Sequence, residues 1–518
     1  MIRLALMLSA ATAPAAAQTF APQQAGLDDG TYAGGWQFMV GGGAAAFDCS
    51  GDGFPDLYIA GGAEPARMYV NESPSGGPLA FRRLPDAATD LNDVTGAYPL
   101  DVDGDGITDL AVLRVGENVL LRGLGDCRFE RANEVWGFTG GDGWTTAFAA
   151  IWEAGQDWPT LATGDYVDRR EEAFPWGSCT PNHLFRADGR GFAPPLDLLP
   201  SHCPLSIMFT DWNRDGTADL RMSNDREYYK GGQEQMWAIP PGQPPRLYTQ
   251  EDGWRYLRLW GMGIASRDTT GDGLPEYFLT SMADNKFQTL ADPAAGRPDF
   301  ADIAFRSGVT AHRPHAGDEF RPSTAWHAQF EDVDNDGHAD LWVAKGNVAQ
   351  MPDFAILDPN NLLMQQADGT FAEASVAAGV ASMRTARGGV LADFDLDGRV
   401  DILAVNRWEA PEIWHNTTEG AGNWVQFRPE LPGANRDAIG AWIEVRTEAG
   451  VQPREVFVGA GHVSGHLGWW HFGLGPAERA EVRVIWPHGQ AGDWQEVTAG
   501  KFYVLRPGAA PVGWTAPR

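Results

Sequence analysis

The chain has 518 residues, 43% of them hydrophobic, with 63 Gly and 35 Pro: enough to bury a large core, and rich in turns and short strands. Its 39 basic residues against 69 acidic ones leave a net charge of −30, which argues against nucleic acid or an anionic membrane surface as a partner. With 21 Trp, 25 Phe and 11 Tyr the chain is too aromatic for disorder, so its acidity points to cation binding.

Residues 1–17 read as an export signal: Arg3 precedes the apolar run 4–8, and Ala15, Ala16 and Ala17 form a small-residue cleavage site before Gln18. No Cys follows the run to take a lipid, and no later stretch reaches the ~18 apolar residues of a membrane span. A soluble monomer, periplasmic or secreted, is expected. Four Cys in an exported chain suit two disulfides and leave three connectivities open; the pairing favoured is Cys49–Cys127 with Cys179–Cys203.

Beyond the signal, one nine-residue pattern recurs. It appears at Asp48, Ser50, Asp52, Phe54 and Asp56, and at Asp101, Asp103, Asp105, Ile107 and Asp109. It returns at Asp211, Asn213, Asp215, Thr217 and Asp219, then at Asp268, Thr270, Asp272, Leu274 and Glu276. The last copies are Asp332, Asp334, Asp336, His338 and Asp340, then Asp393, Asp395, Asp397, Arg399 and Asp401. Positions 1, 3, 5 and 9 offer side-chain oxygens, and position 7 offers its backbone carbonyl. Two carboxylates about 4 Å apart repel by roughly 4 kcal/mol at an effective dielectric near 20, so such a loop needs a cation. Oxygen-only donors on a flexible turn suit Ca²⁺ better than Zn²⁺. An EF-hand shares the opening spacing but needs Glu at position 12; Val343 stands there, inside a strand-like run. The loops therefore join strands in β-hairpins, and about six Ca²⁺ sites are expected.

The gap between Asp101 and Asp211 is about twice the usual spacing. Midway, Trp152, Ala154, Gln156 and Thr160 occupy the ligand positions, which reads as a repeat that kept its strands and lost its metal. Seven repeats of about four strands predict an all-β fold, a seven-bladed β-propeller over residues 18–420. The last repeat lacks a Phe-centred fourth strand, and residues 19–24 are expected to supply it, hiding two sheet edges. Insertions around Tyr166–His202 and near Thr310–Thr324 are placed on a rim. Residues 421–507 alternate as a separate small β domain, followed by a tail, 508–518.

The repeats resemble FG-GAP/VCBS repeats, the unit also found in the head of integrin α subunits. Asn435 to Ala441, Arg454 to Gly461 and His471 to Gly475 resemble an ASPIC/UnbV domain. The combination is similar to bacterial relatives of cartilage acidic protein. The resemblance implies calcium-stabilised propellers used in adhesion or extracellular binding, with no general reaction. The chain departs from it at the metal-free repeat and at residues 461–466, where a more neutral turn is expected.

Three weaker readings compete with bland ones. His462, His466 and His471 have a spacing able to clasp zinc, against a surface turn. Trp254, Trp260, Trp469 and Trp470 are either blade packing or exposed sugar platforms. Asp165, Asp168, Glu171, His312, His315 and Asp318 are the acids and histidines a polysaccharide-acting enzyme would use. The expected function is a non-enzymatic binding module for an extracellular glycan or protein, with that enzyme or an accessory subunit as alternatives.

Overall fold

A computed structural model describes residues 18–27, 30–171, 175–225, 233–310, 317 and 320–517. The signal segment, His312, His315 and Asp318 fall outside them. Among the described residues, seven sheets built on the same four-stranded antiparallel meander follow one another, the first with one added parallel strand. The first contains Ala44–Phe47, Asp56–Ile59, Arg67–Asn71 and Phe81–Arg83. Each acidic loop is the hairpin between a sheet's first and second strands, as where Glu331 pairs with Asp340. The first strand of every sheet packs beside that of the next, and Ala386–Ala392 of the seventh returns to Ala44–Phe47 of the first, closing a ring. The fourth strand of the seventh sheet is Phe20–Gln23, paired antiparallel with Glu412–Asn416 in the register Phe20 opposite Asn416. Phe20 is buried beside Val333 and Trp414, so this strand locks the last sheet shut.

The buried ends of the third strands tie one sheet to the one before it. Asn71 donates through Nδ2 to Pro55 O of its own sheet and to Phe394 O of the seventh, 2.9 and 2.8 Å. Asn416 does the same to Val400 O and Val333 O, 3.1 and 2.8 Å. Gln365 Nε2 reaches Thr269 O at 2.7 Å. The disulfide Cys49–Cys127 adds a covalent tie between the first and second sheets, and Cys179–Cys203 spans the third and fourth, so both favoured pairings form.

Three expectations are corrected. The stretch 166–202 is not simply an insertion, because Asn182–Phe185 and Leu196–Leu198 within it are the outer strands of the third sheet. Lacking an acidic loop, that sheet had no marker to count from. The tail 508–518 is partly structured: Val512–Trp514 pairs with Lys501–Leu505, and Trp514 packs with Trp469 and Phe502.

The largest correction concerns the C-terminal domain, which is not separate. It forms two sheets, one around Asn423–Pro429 and one around Trp442–Thr447, and from between them sends residues 456–467 into the middle of the ring. There the segment touches the first strand of every sheet. Gly465–Leu467 pairs in parallel with Ala45–Phe47, and Ser464 bridges Ala97. Val458 bridges Ala150, Ala460 N donates to Ile207 O at 2.8 Å, and Gly461 bridges Ile264. His462 N donates to His327 Nδ1 at 3.1 Å, and Gly389 N donates to Ser464 Oγ at 3.3 Å.

His462 and His471 are consequently buried rather than on a surface turn. His462 Nε2 accepts from Gly41 N at 3.1 Å while Nδ1 faces Leu205 O at 3.0 Å, so both ring nitrogens are used and no zinc clasp forms. Burial lowers the His462 imidazole to about 3, which keeps it neutral. Trp254, Trp469 and Trp470 are likewise buried and are packing residues, not platforms.

Small residues make the insertion possible. A Cβ on Gly43 would lie 1.8 Å from Val463 O, and one on Gly96 2.1 Å from the same atom. Gly43→Ala should therefore lower stability by roughly 1–3 kcal/mol or more, read by urea denaturation. Deleting residues 18–27 should lower the melting temperature sharply, since it bares two strand edges; an unchanged melt would count against closure by this strand.

Candidate metal centres

Each acidic loop is built by its own backbone. The position-1 carboxylate accepts N–H groups from positions 4 to 6: Asp48 from Gly51 and Gly53 at 2.7 and 2.9 Å, Asp101 from Gly104 and Gly106 at 2.9 and 3.0 Å. Asp211 accepts from Asp215 N and Gly216 N at 2.9 and 3.0 Å, Asp393 from Asp397 N and Gly398 N at 3.0 and 2.8 Å, and Gly337 N reaches Asp332 at 2.8 Å. Asp268 accepts from Gly271 and Gly273. The position-5 acids Asp52, Asp105, Asp215, Asp272, Asp336 and Asp397 accept N–H from Phe54, Ile107, Thr217, Leu274, His338 and Arg399, which fixes the position-7 backbone in every loop. The glycine at position 6 lies at positive φ, from +86° at Gly106 to +97° at Gly337, where a side chain would strain the turn.

The position-9 carboxylate ties the loop to the sheet. Asp56 accepts Cys49 and Ser50 N–H on one oxygen and Asn71 N–H on the other. Asp109 does so with Val102 and Gly123, Asp340 with Val333 and Gln365, and Asp401 with Phe394 and Asn416, all at 2.7 to 3.0 Å. Two loops vary. Asp219 takes the Trp212 indole at 2.7 Å and the Tyr248 hydroxyl at 2.9 Å. Glu276 takes Thr269 N–H at 2.9 Å and the Thr289 hydroxyl at 2.8 Å.

With the N–H groups outward, the free lone pairs point inward. Oxygens of Asp101, Asp103 and Asp109, of Asp332, Asp334 and Asp336, and of Asp393, Asp395 and Asp401 lie within 4.8 Å of one another. Asp395 is fully buried with no hydrogen bond to Oδ1, while its Oδ2 lies 3.1 Å from the His415 Nε2. Asn213 Oδ1, at the same third position of its loop, is also buried and unbonded. Such orphans cost about 1–3 kcal/mol each, more when charged, unless a cation meets them. The donors of the loops themselves are oxygens, with the His415 imidazole beside Asp395 and Asp397 in the sixth, so these residues fit a hard divalent ion. In the second loop the Arg122 guanidinium already reaches Asp103 at 2.8 Å and Asp105 at 2.9 Å, so an organic cation shares that site.

The third sheet has a different arrangement at the corresponding place. Trp152 and Trp158 are buried there, and buried Glu153 accepts from Thr160 at 2.8 Å, Gly242 N at 2.7 Å and Arg186 at 2.6 Å. One carboxylate and one guanidinium do internally what four acids and an ion would do elsewhere. Trp152, Ala154 and Gln156 gave no hint of Glu153, which lies between the ligand positions.

Sequence reasoning also missed that the C-terminal domain sits on the loops. Trp469 Nε1 donates to Gly53 O at 3.1 Å, and Arg436 reaches Thr108 Oγ1 at 3.1 Å. Glu455 accepts Asp211 N–H at 2.7 Å, and Glu444 pairs with Arg214 at 2.6 Å. His471 Nε2 meets Asn335 Oδ1 at 2.7 Å, and Gln426 Nε2 donates to Asp393 at 2.6 Å. Of the enzyme-type candidates, Asp165 is buried, accepts from Thr145 at 2.5 Å and has His183 at 3.7 Å, while Asp168 pairs with Arg170 at 2.9 Å. Glu171 is exposed.

Comparison with known proteins follows this geometry. Residues 48–112 and 332–404 match the FG-GAP-like repeat, and residues 431–512 match ASPIC and UnbV. The protein is thus a β-propeller-type chain of FG-GAP-like repeats. More particularly, it joins those repeats to a C-terminal ASPIC/UnbV domain. No curated protein matches it. Among solved structures it is similar to BBS1N in complex with ARL6DN (12% identity, 78% of this chain and 98% of that one, TM-score 0.43). An Agrocybe aegerita lectin recognising non-reducing terminal N-acetylglucosamine is similar at 15% identity over 64% of this chain and 79% of that one, TM-score 0.36. Bacillus licheniformis rhamnogalacturonan lyase PL11 is similar at 13% identity over 77% and 76%, TM-score 0.37. Among the described residues no helix is long and apolar enough to cross a membrane.

Burial, with the neighbouring acids adding to it, raises the loop carboxyls. Asp109 is pushed up to about 8, Asp56 and Glu276 to about 7, and Asp101, Asp211 and Asp397 to about 6. Asp332, Asp340, Asp393 and Asp401 lie well above the ordinary range for the same reasons. A carboxyl raised in the fold keeps a proton that unfolding releases. The cation-free protein is therefore favoured near pH 4 and loses that advantage as pH rises through about 6 to 8. In EDTA the melting temperature should fall between pH 5 and pH 8, and saturating CaCl₂ should abolish the fall. Parallel profiles in the two buffers would contradict this.

Proposed function

We propose that the chain is an exported calcium-binding propeller that serves as a non-enzymatic module for binding an extracellular glycan or protein. The observation that carries the cation assignment is the convergence of buried Asp393, Asp395 and Asp401, whose carboxylate oxygens lie within 4.8 Å of one another. A donor set made mainly of carboxylate oxygens, without thiolate, favours Ca²⁺ among biological divalent ions. Two disulfides support export to an oxidising compartment. The binding reading is favoured over hydrolysis because Asp165 and Asp168 are each tied to protein partners rather than poised in a cleft.

If free Ca²⁺ is ten times each Kd, one site adds about 1.4 kcal/mol, and six sites about 8 kcal/mol, comparable to a domain's whole stability. EDTA should lower the melting temperature by more than about 10 °C in a scanning calorimeter. Asp395→Asn should remove one equivalent from the Ca²⁺ stoichiometry measured by titration calorimetry. A chelator-insensitive melt with no calcium uptake would sink the reading.

A further inference from the structure

Arg267 ends the first strand of the fifth sheet, Gly261–Arg267, and is only 5% exposed. Its guanidinium lies over the Phe472 ring, 5.4 Å from the centroid, and its Nη1 is buried without a hydrogen-bond partner. Nearby Arg454 has its own carboxylate, Glu331, at 2.7 Å. Arg267 has none: Glu331, Asp332 and Asp268 act on it from a distance, and among the described residues no carboxylate comes close enough to pair with it. Buried polar groups are hydrogen-bonded as a rule, and a buried cation without an anion is the costlier exception. Burial lowers the guanidinium to about 10, which leaves it charged at neutral pH.

Arg267 lines a cleft of about 580 Å³ between the fifth and sixth sheets, bounded on its third side by the C-terminal strand Gly450–Glu455. That volume is in the range of small-molecule sites. The other walls offer hydrogen-bond acceptors. Gln366 and Gln452 spend their amide nitrogens on Met364 O at 3.0 Å and Gly473 O at 2.9 Å, and their amide oxygens receive no bond from the described residues. Asp368 accepts the Thr370 N–H and hydroxyl on Oδ1, at 3.0 and 2.6 Å, which leaves Oδ2 free. Asp268 and Asp336 share these walls, so a densely charged polyanion is repelled. A ligand with one carboxylate and several hydroxyls matches the inventory. Its carboxylate meets the guanidinium fork, and its hydroxyls donate to the wall oxygens.

We propose that this cleft binds an acidic sugar residue, a uronate whose carboxylate pairs with Arg267. This deepens the glycan reading above and rests on it.

The test uses the full chain in titration calorimetry with methyl β-glucuronide and methyl β-galacturonide, their neutral counterparts methyl β-glucoside and methyl β-galactoside, and sodium acetate. One uronide should bind at least tenfold tighter than its neutral counterpart and than acetate. Arg267→Met should erase that preference while keeping or raising the melting temperature, because it removes a buried, unpaired charge. Asp368→Ala, on an exposed side chain, should weaken the uronide at least threefold without moving the melt, and it carries the test if Arg267→Met does not fold. A uronide preference that survives Arg267→Met, or uronide binding untouched by Asp368→Ala, overturns the site. Acetate bound as tightly as the uronide overturns the sugar assignment. A glycan array probed with the same chain separates the two readings. Neutral glycans retained without uronates overturn the proposal and leave glycan binding standing, whereas an array that retains nothing overturns both.

Discussion

Charge convergence at the hairpin tips is the constraint on which the molecule depends. Six turns carry the acidic pattern, three of them bring oxygens of three carboxylates within 4.8 Å of one another, and each turn also joins the first two strands of its sheet. The ninth acid does both jobs: one oxygen stitches the turn, the other receives the N–H that ends the third strand, as at Asp56, Asp109, Asp340 and Asp401. Neutralising these acids is therefore inseparable from holding the sheets. The third sheet, where Glu153 and Arg186 pair instead, shows that the architecture asks for a compensated charge at this place and accepts more than one source of it.

The turns have a second load. Their outer surface is the floor on which the C-terminal domain rests, through Gln426, Arg436, Glu455, His471 and Trp469. Carboxylate clustering, sheet closure and domain docking thus share the same nine-residue units. Rigidity of the turns is transmitted to the cap without a long lever, because Glu455 and Gln426 bond directly to groups at position 1 of a loop.

Much of this was legible in the chain. The repeat register gave the acidic loops and the strands beside them, because a carboxylate pattern with glycine at position 6 has few conformations open to it. The match of Thr19 and Phe20 to Thr370 and Phe371 pointed to the strand that pairs with Glu412–Asn416. What escaped was long-range. Nothing local to residues 461–466 marks them as buried, since Gly, His and Ser are ordinary turn residues. The signal lay elsewhere, in first strands made of small residues such as Ala44, Ala45, Ala46, Gly96, Gly388 and Gly389. Those read as weak strands until one asks what approaches them so closely. Glu153 escaped for a similar reason: it occupies a position that carries no ligand in the other repeats.

The filled centre bears on how the molecule is made. A polypeptide synthesised from its N-terminus has all seven sheets in hand before residue 456 exists. Its toroid is then a hollow collar lined with bare peptide groups and tiny side chains. Only the final stretch supplies the axle, so a product cut short by some sixty residues would retain every turn and every rim yet carry an empty bore.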